Sequence, residues 1–183
     1  CLQVLKGPAG LHIFPELFLS GYPLQDLCLN KSFIDNYQRL LQEINAVSLQ
    51  LDENPQQCLI MGGLHYEISE TGIPDKIYNV AYQLTPGHSL ELAYRKRLLP
   101  NYDIFDERKY FTPGEEQVVF DYLNRKISLL ICEDMWPSNF HTIDPVEELK
   151  KKLLDENGSI DLLLNLSASP YNLKKDQRRL ERA

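Results

Sequence analysis

The chain predicts an α/β fold containing a mixed sheet, and three stretches carry that prediction. Residues 127–165 alternate an apolar strand, a charged helix and a second apolar strand, for which a right-handed βαβ unit with parallel strands is the default. Residues 79–84 and 89–94 flank Pro86-Gly87 as a hairpin, so antiparallel pairing is present as well. Residues 32–51 place Phe33, Tyr37, Leu40, Leu41, Ile44 and Val47 at a helical period with a polar opposite face, the pattern of a helix lying on a sheet.

The remaining elements follow along the chain. Cys1 to Gly10 reads as the end of a helix and a turn, with no initiator Met before it, so the sequence is expected to be a fragment. Residues 11–14 read as a strand, and the glycine and prolines of 15–23 enforce an irregular loop that sets Glu16 immediately beyond the strand end. The loop continues through 24–29 to the helix. Residues 58–66 are apolar and strand-like, with Gly62-Gly63 marking a close backbone approach. A turn-rich loop is expected over 69–76. Residues 95–114 show no period and mix aromatics, charges and prolines; a loop of this length inside a compact domain is more often functional than incidental. Residues 117–122 and 127–131 pair around Leu123-Asn124-Arg125. Residues 145–156 form a helix with Lys150, Lys151 and Lys152 in its C-terminal half, ended by Gly158. Residues 161–165 read as a buried strand running out into Leu166-Ser-Ala-Ser-Pro-Tyr171, which puts Ser167 and Cys132 at the same lip of the sheet.

Composition narrows the function classes. At 183 residues the chain is long enough for one domain with a sizeable core. A net charge of −7 argues against nucleic acid as a partner. The one basic cluster, Lys174, Lys175, Arg178, Arg179 and Arg182, is interleaved with Asp176 and Glu181 and reads as a solvated helix face. Cysteines at 1, 28, 58 and 132 show neither a CxxC pair nor metal-ligand spacing, which fits a reducing compartment and no metal site. No apolar run is long enough to span a membrane and no signal peptide is evident, so the expected location is cytoplasmic.

The candidate chemistry begins at Lys126-Ile-Ser-Leu-Leu-Ile-Cys-Glu-Asp-Met-Trp-Pro137. A short buried strand stops abruptly at Cys132, Glu133 and Asp134, and two carboxylates there must reach water or partners. In open α/β sheets, ligands bind at the carboxyl ends of the strands. A thiol with a pKa near 8.5 needs a base or a cation to attack carbon efficiently, and the adjacent carboxylates would raise that pKa. Glu16 beyond its own strand end is a candidate base, and Lys96 in Tyr94-Arg-Lys-Arg-Leu-Leu-Pro100 is a candidate cation for a substrate oxygen. Each also has a plain reading: Cys132 as a core residue, Glu16 as a surface carboxylate, the basic run as a solvated face, Tyr102 as a packed aromatic and Ser169 as a turn former before Pro170.

Taken together, these residues resemble the nitrilase, or carbon–nitrogen hydrolase, superfamily, whose Glu, Lys and Cys occur in this order at successive strand ends. Phe14-Pro-Glu-Leu-Phe-Leu-Ser-Gly-Tyr-Pro23, Leu99-Pro-Asn-Tyr-Asp-Ile-Phe-Asp-Glu-Arg-Lys-Tyr-Phe111, Cys132-Glu-Asp-Met-Trp-Pro137 and Asn165-Leu-Ser-Ala-Ser-Pro-Tyr171 are similar to the amidase domains of glutamine-dependent NAD synthetases. The resemblance implies a four-layer α/β/β/α sandwich with mixed sheets, truncated at both ends, over residues 1–183. It implies Glu16 as base, Lys96 as oxyanion stabiliser and Cys132 as nucleophile, with Glu107 and Glu133 as additional active-site residues. Tyr102, Ser169 and Lys175 are the implied contacts for L-glutamine, and the backbone N–H of Glu133 the second oxyanion donor. In that setting Lys96 is expected to lower the thiol pKa against Glu133 and Asp134.

The amidase chemistry calls for no metal or cofactor. ATP, Mg and deamido-NAD would belong to a synthetase domain outside this chain, because the phosphate-cradling Ser-Gly-Gly loop is missing. The resemblance also implies a homo-oligomer. A free-standing amidase acting on another small amide and a non-catalytic α/β interaction module remain alternatives.

Overall fold

Strand-forming sequence collects in segments that pair into two sheets. The computed structural model describes residues 2–70, 72–102, 105–137 and 141–169, with Gln177 and Leu180. Among these, β1 (Gly10–Ile13), β2 (Gln57–Ile68), β3 (Pro74–Leu84) and β4 (Glu91–Arg95) make one sheet in that order. A second sheet has the order β5 (Val119–Tyr122), β6 (Arg125–Ile131) and β7 (Leu162–Leu166). Both are mixed: β1 runs parallel to β2 and β6 parallel to β7, while β2–β3, β3–β4 and β5–β6 are antiparallel. The helices are α1 (Leu2–Leu5), α2 (Lys31–Leu49) and α3 (Pro145–Asp155).

The sheets face each other across an apolar core. Cys58, Ile60, Ala81 and Tyr94 from the first meet Ile127, Leu129, Ile131, Leu164 and Leu166 from the second. Burying side chains of this size is worth about 1.5–3 kcal/mol each, which is what holds two otherwise separate sheets together. On the outer face of the first sheet, α2 turns Ile34, Tyr37, Ile44 and Ser48 inward. Its start is set by Asn30, whose side chain accepts from the Phe33 N–H at 3.1 Å. The inner face of the second sheet is occupied, so the β6–α3–β7 crossover must place α3 on its outer face, the fourth layer. Asp144 caps that helix by accepting from Val146 and Glu147, with Pro145 at its first turn.

Gly62 shows why the 14–19 loop can lie on β2. A Cβ there would sit 2.2 Å from the Pro15 carbonyl oxygen and 2.6 Å from the Leu17 nitrogen, so only glycine admits the loop. The Phe14 and Leu19 N–H groups bond the Ile60 and Gly62 carbonyls at 2.8 and 3.1 Å, stitching down the segment that carries Glu16.

Three expectations are corrected. The turn-rich loop expected over 69–76 is shorter, because β2 and β3 extend to Ile68 and back from Pro74, with Glu67 facing Lys76 in the ladder. β7 is only half-buried, since it lies at the edge of its sheet among the described residues. At the end of α3 the left-handed position is taken by Asn157 (φ 49°), while the Gly158 N–H reaches the Leu153 carbonyl.

Candidate active site

Three strand ends deliver the sequence-predicted residues to one place. Glu16 follows β1, Lys96 follows β4 and Cys132 follows β6. Lys96 is pinned through its backbone: its N–H donates to the Asn79 carbonyl and its carbonyl accepts from the Gly114 N–H, both at 2.8 Å. Of the basic run at 95–97, Arg95 is partly exposed, whereas Lys96 and Arg97 are buried, so that run is not a solvated face.

The Lys96 side chain is wholly enclosed, and two carboxylates compensate its charge. Nζ lies 2.7 Å from Glu16 Oε1 and 3.0 and 2.8 Å from the two oxygens of Glu107. Burial pulls the ammonium pKa down, but Glu16 and Glu107 outweigh it and hold the lysine pKa well above its ordinary value. Glu16 Oε1 also accepts from Asn79 Nδ2 at 2.8 Å, and Oε2 accepts from the Ala168 N–H at 3.2 Å. The Tyr22 hydroxyl donates to Glu107 Oε1 at 3.0 Å. Burial pushes the Glu107 carboxyl up to about 7, against the opposing pull of Lys96.

Cys132 opens a turn of 3-10 helix, Cys132–Met135, and adopts φ 47°, a left-handed conformation that costs a non-glycine residue energy. The thiol stays partly exposed, and Ser167 Oγ lies 3.5 Å from Sγ. Ser167 and Ser169 hydroxyls are 2.9 Å apart. The Ala168 N–H that bonds Glu16 adjoins Ser167, whose hydroxyl meets Sγ, so the thiol lies beside the charged cluster.

Its acidity corrects an expectation. Burial first, then Glu16, push the Cys132 thiol up to about 11, and Lys96 only partly offsets them. The neighbouring carboxylates are engaged elsewhere. Glu133 is buried and accepts from the Tyr102 hydroxyl at 2.8 Å. Asp134 is fully enclosed and accepts only from protein donors, so of the two outcomes open to these carboxylates it found partners rather than water.

The structure therefore brings Glu16, Lys96, Glu107, Cys132, Glu133, Tyr102 and Ser169 to one lip of the sandwich. Lys175 lies outside the described residues. Sequence reasoning missed Asn79 and Tyr22. The signal for Asn79 was a polar side chain opening the apolar run 79–84, which must find a partner when buried.

Comparison with known proteins agrees with this geometry. A model of the carbon-nitrogen hydrolase family matches residues 1–143. The glutamine-dependent NAD(+) synthetase of Acinetobacter baylyi is 37% identical over 179 residues, covering 98% of this chain and 29% of the relative. That of Thermotoga maritima is 39% identical over 165 residues, covering 90% and 25%. The chain thus spans less than a third of the length of these curated relatives. Among solved structures, the glutamine-dependent NAD+ synthetase of Acinetobacter baumannii in complex with ADP superposes with a TM-score of 0.70 at 34% identity, over 97% of this chain and 29% of that one. An amidase from Nesterenkonia sp. gives 0.65 at 18% identity over 96% and 58%, a likeness of fold alone.

Proposed function

Because the chain belongs to the carbon-nitrogen hydrolase family, we propose that it is a cysteine-dependent amidase acting on the side-chain amide of L-glutamine. The observation that carries this reading is a buried ammonium, Lys96, clamped by Glu16 and Glu107 beside the Cys132 thiol. An isolated buried charge is costly, and a structural core would be better served by apolar groups. A pocket that must stabilise a developing oxyanion has use for it.

The thiol, pushed up to about 11, is neutral near pH 7, so its proton must leave as the bond to carbon forms. Glu16 accepts that proton, Sγ bonds the amide carbon, and the C=O electron pair moves onto oxygen. Lys96, with three N–H donors, can turn one toward that oxygen while two hold the carboxylates, and the Glu133 backbone N–H is the second donor. The tetrahedral species collapses with the C–N bond breaking; nitrogen takes the proton from Glu16 and leaves as ammonia. Water then attacks the thioester, its proton passing to Glu16 and on to the departing sulfur, which releases glutamate and restores the thiol.

Glutamine as substrate is supported by the relatives, which are glutamine-dependent NAD(+) synthetases. It is also supported by the buried Glu133 carboxylate next to the nucleophile, held by the hydroxyl of the exposed Tyr102, which suits an α-ammonium group. Ser169 and Lys175 complete the proposed contacts, with Lys175 matched to the α-carboxylate. In the same reading the ammonia feeds an ATP- and Mg-dependent amidation of deamido-NAD on a synthetase domain outside this chain, in a cytoplasmic homo-oligomer. Among the described residues no helix is long and apolar enough to cross a membrane.

The test is ammonia release by the full protein from glutamine, asparagine, short aliphatic amides and nitriles. Glutamine is expected to give the highest kcat/KM. Preference for another amide would overturn the substrate and leave the amidase; no turnover of any would favour an interaction module.

A further inference from the structure

Asp134 is the carboxylate that the chemistry above does not use, and its surroundings are unlike those of a structural ion. It is fully buried, and no salt bridge among the described residues includes it. Instead four donors converge on it. Oδ1 accepts from the Arg97 N–H at 3.0 Å and the Leu98 N–H at 2.7 Å; Oδ2 accepts from the Ile131 N–H at 3.0 Å and the Tyr94 hydroxyl at 2.9 Å.

Asp134 and its donors flank the two reacting side chains in sequence. Tyr94 and Arg97 lie on either side of Lys96, and Ile131 and Asp134 lie on either side of Cys132. A single side chain thus fixes the loop that carries the ammonium to the turn that carries the thiol, across the gap between the two sheets. The turn needs such a restraint, because Cys132 sits at φ 47° and a strained residue persists only where its surroundings over-determine it. Three backbone N–H groups, two on Oδ1 and one on Oδ2, can only donate and so require an acceptor at both positions, which a carboxylate offers and an amide does not.

We propose that Asp134 is a positioning residue that sets the distance between Lys96 and Cys132. It acts on the Lys96 loop through the Arg97 and Leu98 N–H groups and the Tyr94 hydroxyl, and on the Cys132 turn through the Ile131 N–H. The proposal rests on the amidase reading for its kinetic consequence, but its geometric content does not depend on which amide is cleaved.

The experiment compares Asp134→Asn and Tyr94→Phe with wild type in the full protein, using two readouts. On the best amide substrate, Asp134→Asn is expected to lower kcat about 100-fold with KM changed less than about threefold, since misplacing a reacting pair by about an ångström costs that much. Tyr94→Phe removes one donor of the four and is expected to lower kcat by roughly three- to tenfold with the fold intact. Independently of any substrate, iodoacetamide alkylation of Cys132 at pH 9 is expected to slow about tenfold in Asp134→Asn, because a displaced Lys96 no longer favours the thiolate.

A purely structural role would lower the melting temperature while the folded fraction kept wild-type kcat and alkylated at least as fast, and that result overturns the proposal. If Asp134→Asn does not fold, Tyr94→Phe decides: wild-type kcat and alkylation rate would overturn it. If no amide is turned over, the amidase reading fails, and the alkylation rates still uphold or overturn the role of Asp134.

Discussion

Cys58 and Cys132 border the same apolar cluster between the two sheets, and burial pushes both thiols up to about 11. Acidity therefore does not distinguish the interior of the sandwich from its lip. What differs is what surrounds each sulfur. Cys58 is almost wholly enclosed, inside β2. Cys132 stands at a strand end, partly exposed, in the field of Glu16, Lys96 and Glu107 and 3.5 Å from the Ser167 hydroxyl. The comparison teaches that the lip differs from the interior not in thiol acidity but in the carboxylates and ammonium gathered beside the sulfur, which the proposed chemistry uses as base and cation.

The largest effect expected from that contrast is on the two cysteines themselves. Cys132→Ala should lower glutamine hydrolysis by at least about 10⁴-fold with the fold retained, as removal of a covalent nucleophile does. Cys58→Ala should keep wild-type kcat and lose roughly 1–2 kcal/mol of stability to a small cavity. Ammonia release and thermal melts on both variants check this; equal losses of activity would erase the distinction.

Next is the charged cluster. Lys96→Met would leave Glu16 and Glu107 buried without their counter-charge, which is expected to destabilise the protein by ~3–5 kcal/mol as well as abolish turnover. Denaturant unfolding reads the first effect. Loss of activity with unchanged stability would mean that the cluster does not bear that energy.

A pH experiment sharpens the comparison further. Because the Cys132 pKa is raised, its thiolate fraction at pH 7 is lower than that of a free cysteine, on the order of 100-fold. Alkylation of Cys132 should rise with pH toward a midpoint near 11, with Cys58 unmodified in the native state. A midpoint near 8.5 would place Lys96 in control of the thiol after all. The smallest effect is expected at the rim: Tyr102→Phe should raise KM for glutamine by about five- to tenfold through the loss of its hold on Glu133, with little change in kcat.

How much of this could be read in the sequence follows from what each feature needs. The strand ends that deliver Glu16, Lys96 and Cys132 are local signals, an apolar run followed by a polar break, and the order of the motifs around them named a family. The mixed strand pairing and the α2 face were legible for the same reason, whereas the two-sheet sandwich followed only from the family resemblance. The Asn79–Glu16 and Tyr22–Glu107 bonds were not, because they depend on strand register and on a loop folding back over Lys96. Asp134 was legible as a carboxylate in need of partners, but three of its four donors, Tyr94, Arg97 and Leu98, sit on or just beyond a strand of the other sheet. Thiol acidity was misjudged because burial, which dominates it, is a tertiary property, whereas the adjacent carboxylates stand next to it in the sequence and point elsewhere.

The central claim is that Cys132 forms a covalent bond with the carbon of a glutamine side-chain amide. A diazoketone analogue of glutamine reports it through a stable adduct, since its diazo carbon takes up the thiol proton and the sulfur then bonds that carbon as dinitrogen leaves. Peptide mass analysis of the treated full protein should find one adduct, on the peptide containing Cys132, accumulating in step with the loss of ammonia release, and none on Cys28 or Cys58. Complete loss of ammonia release with Cys132 unmodified would contradict the account.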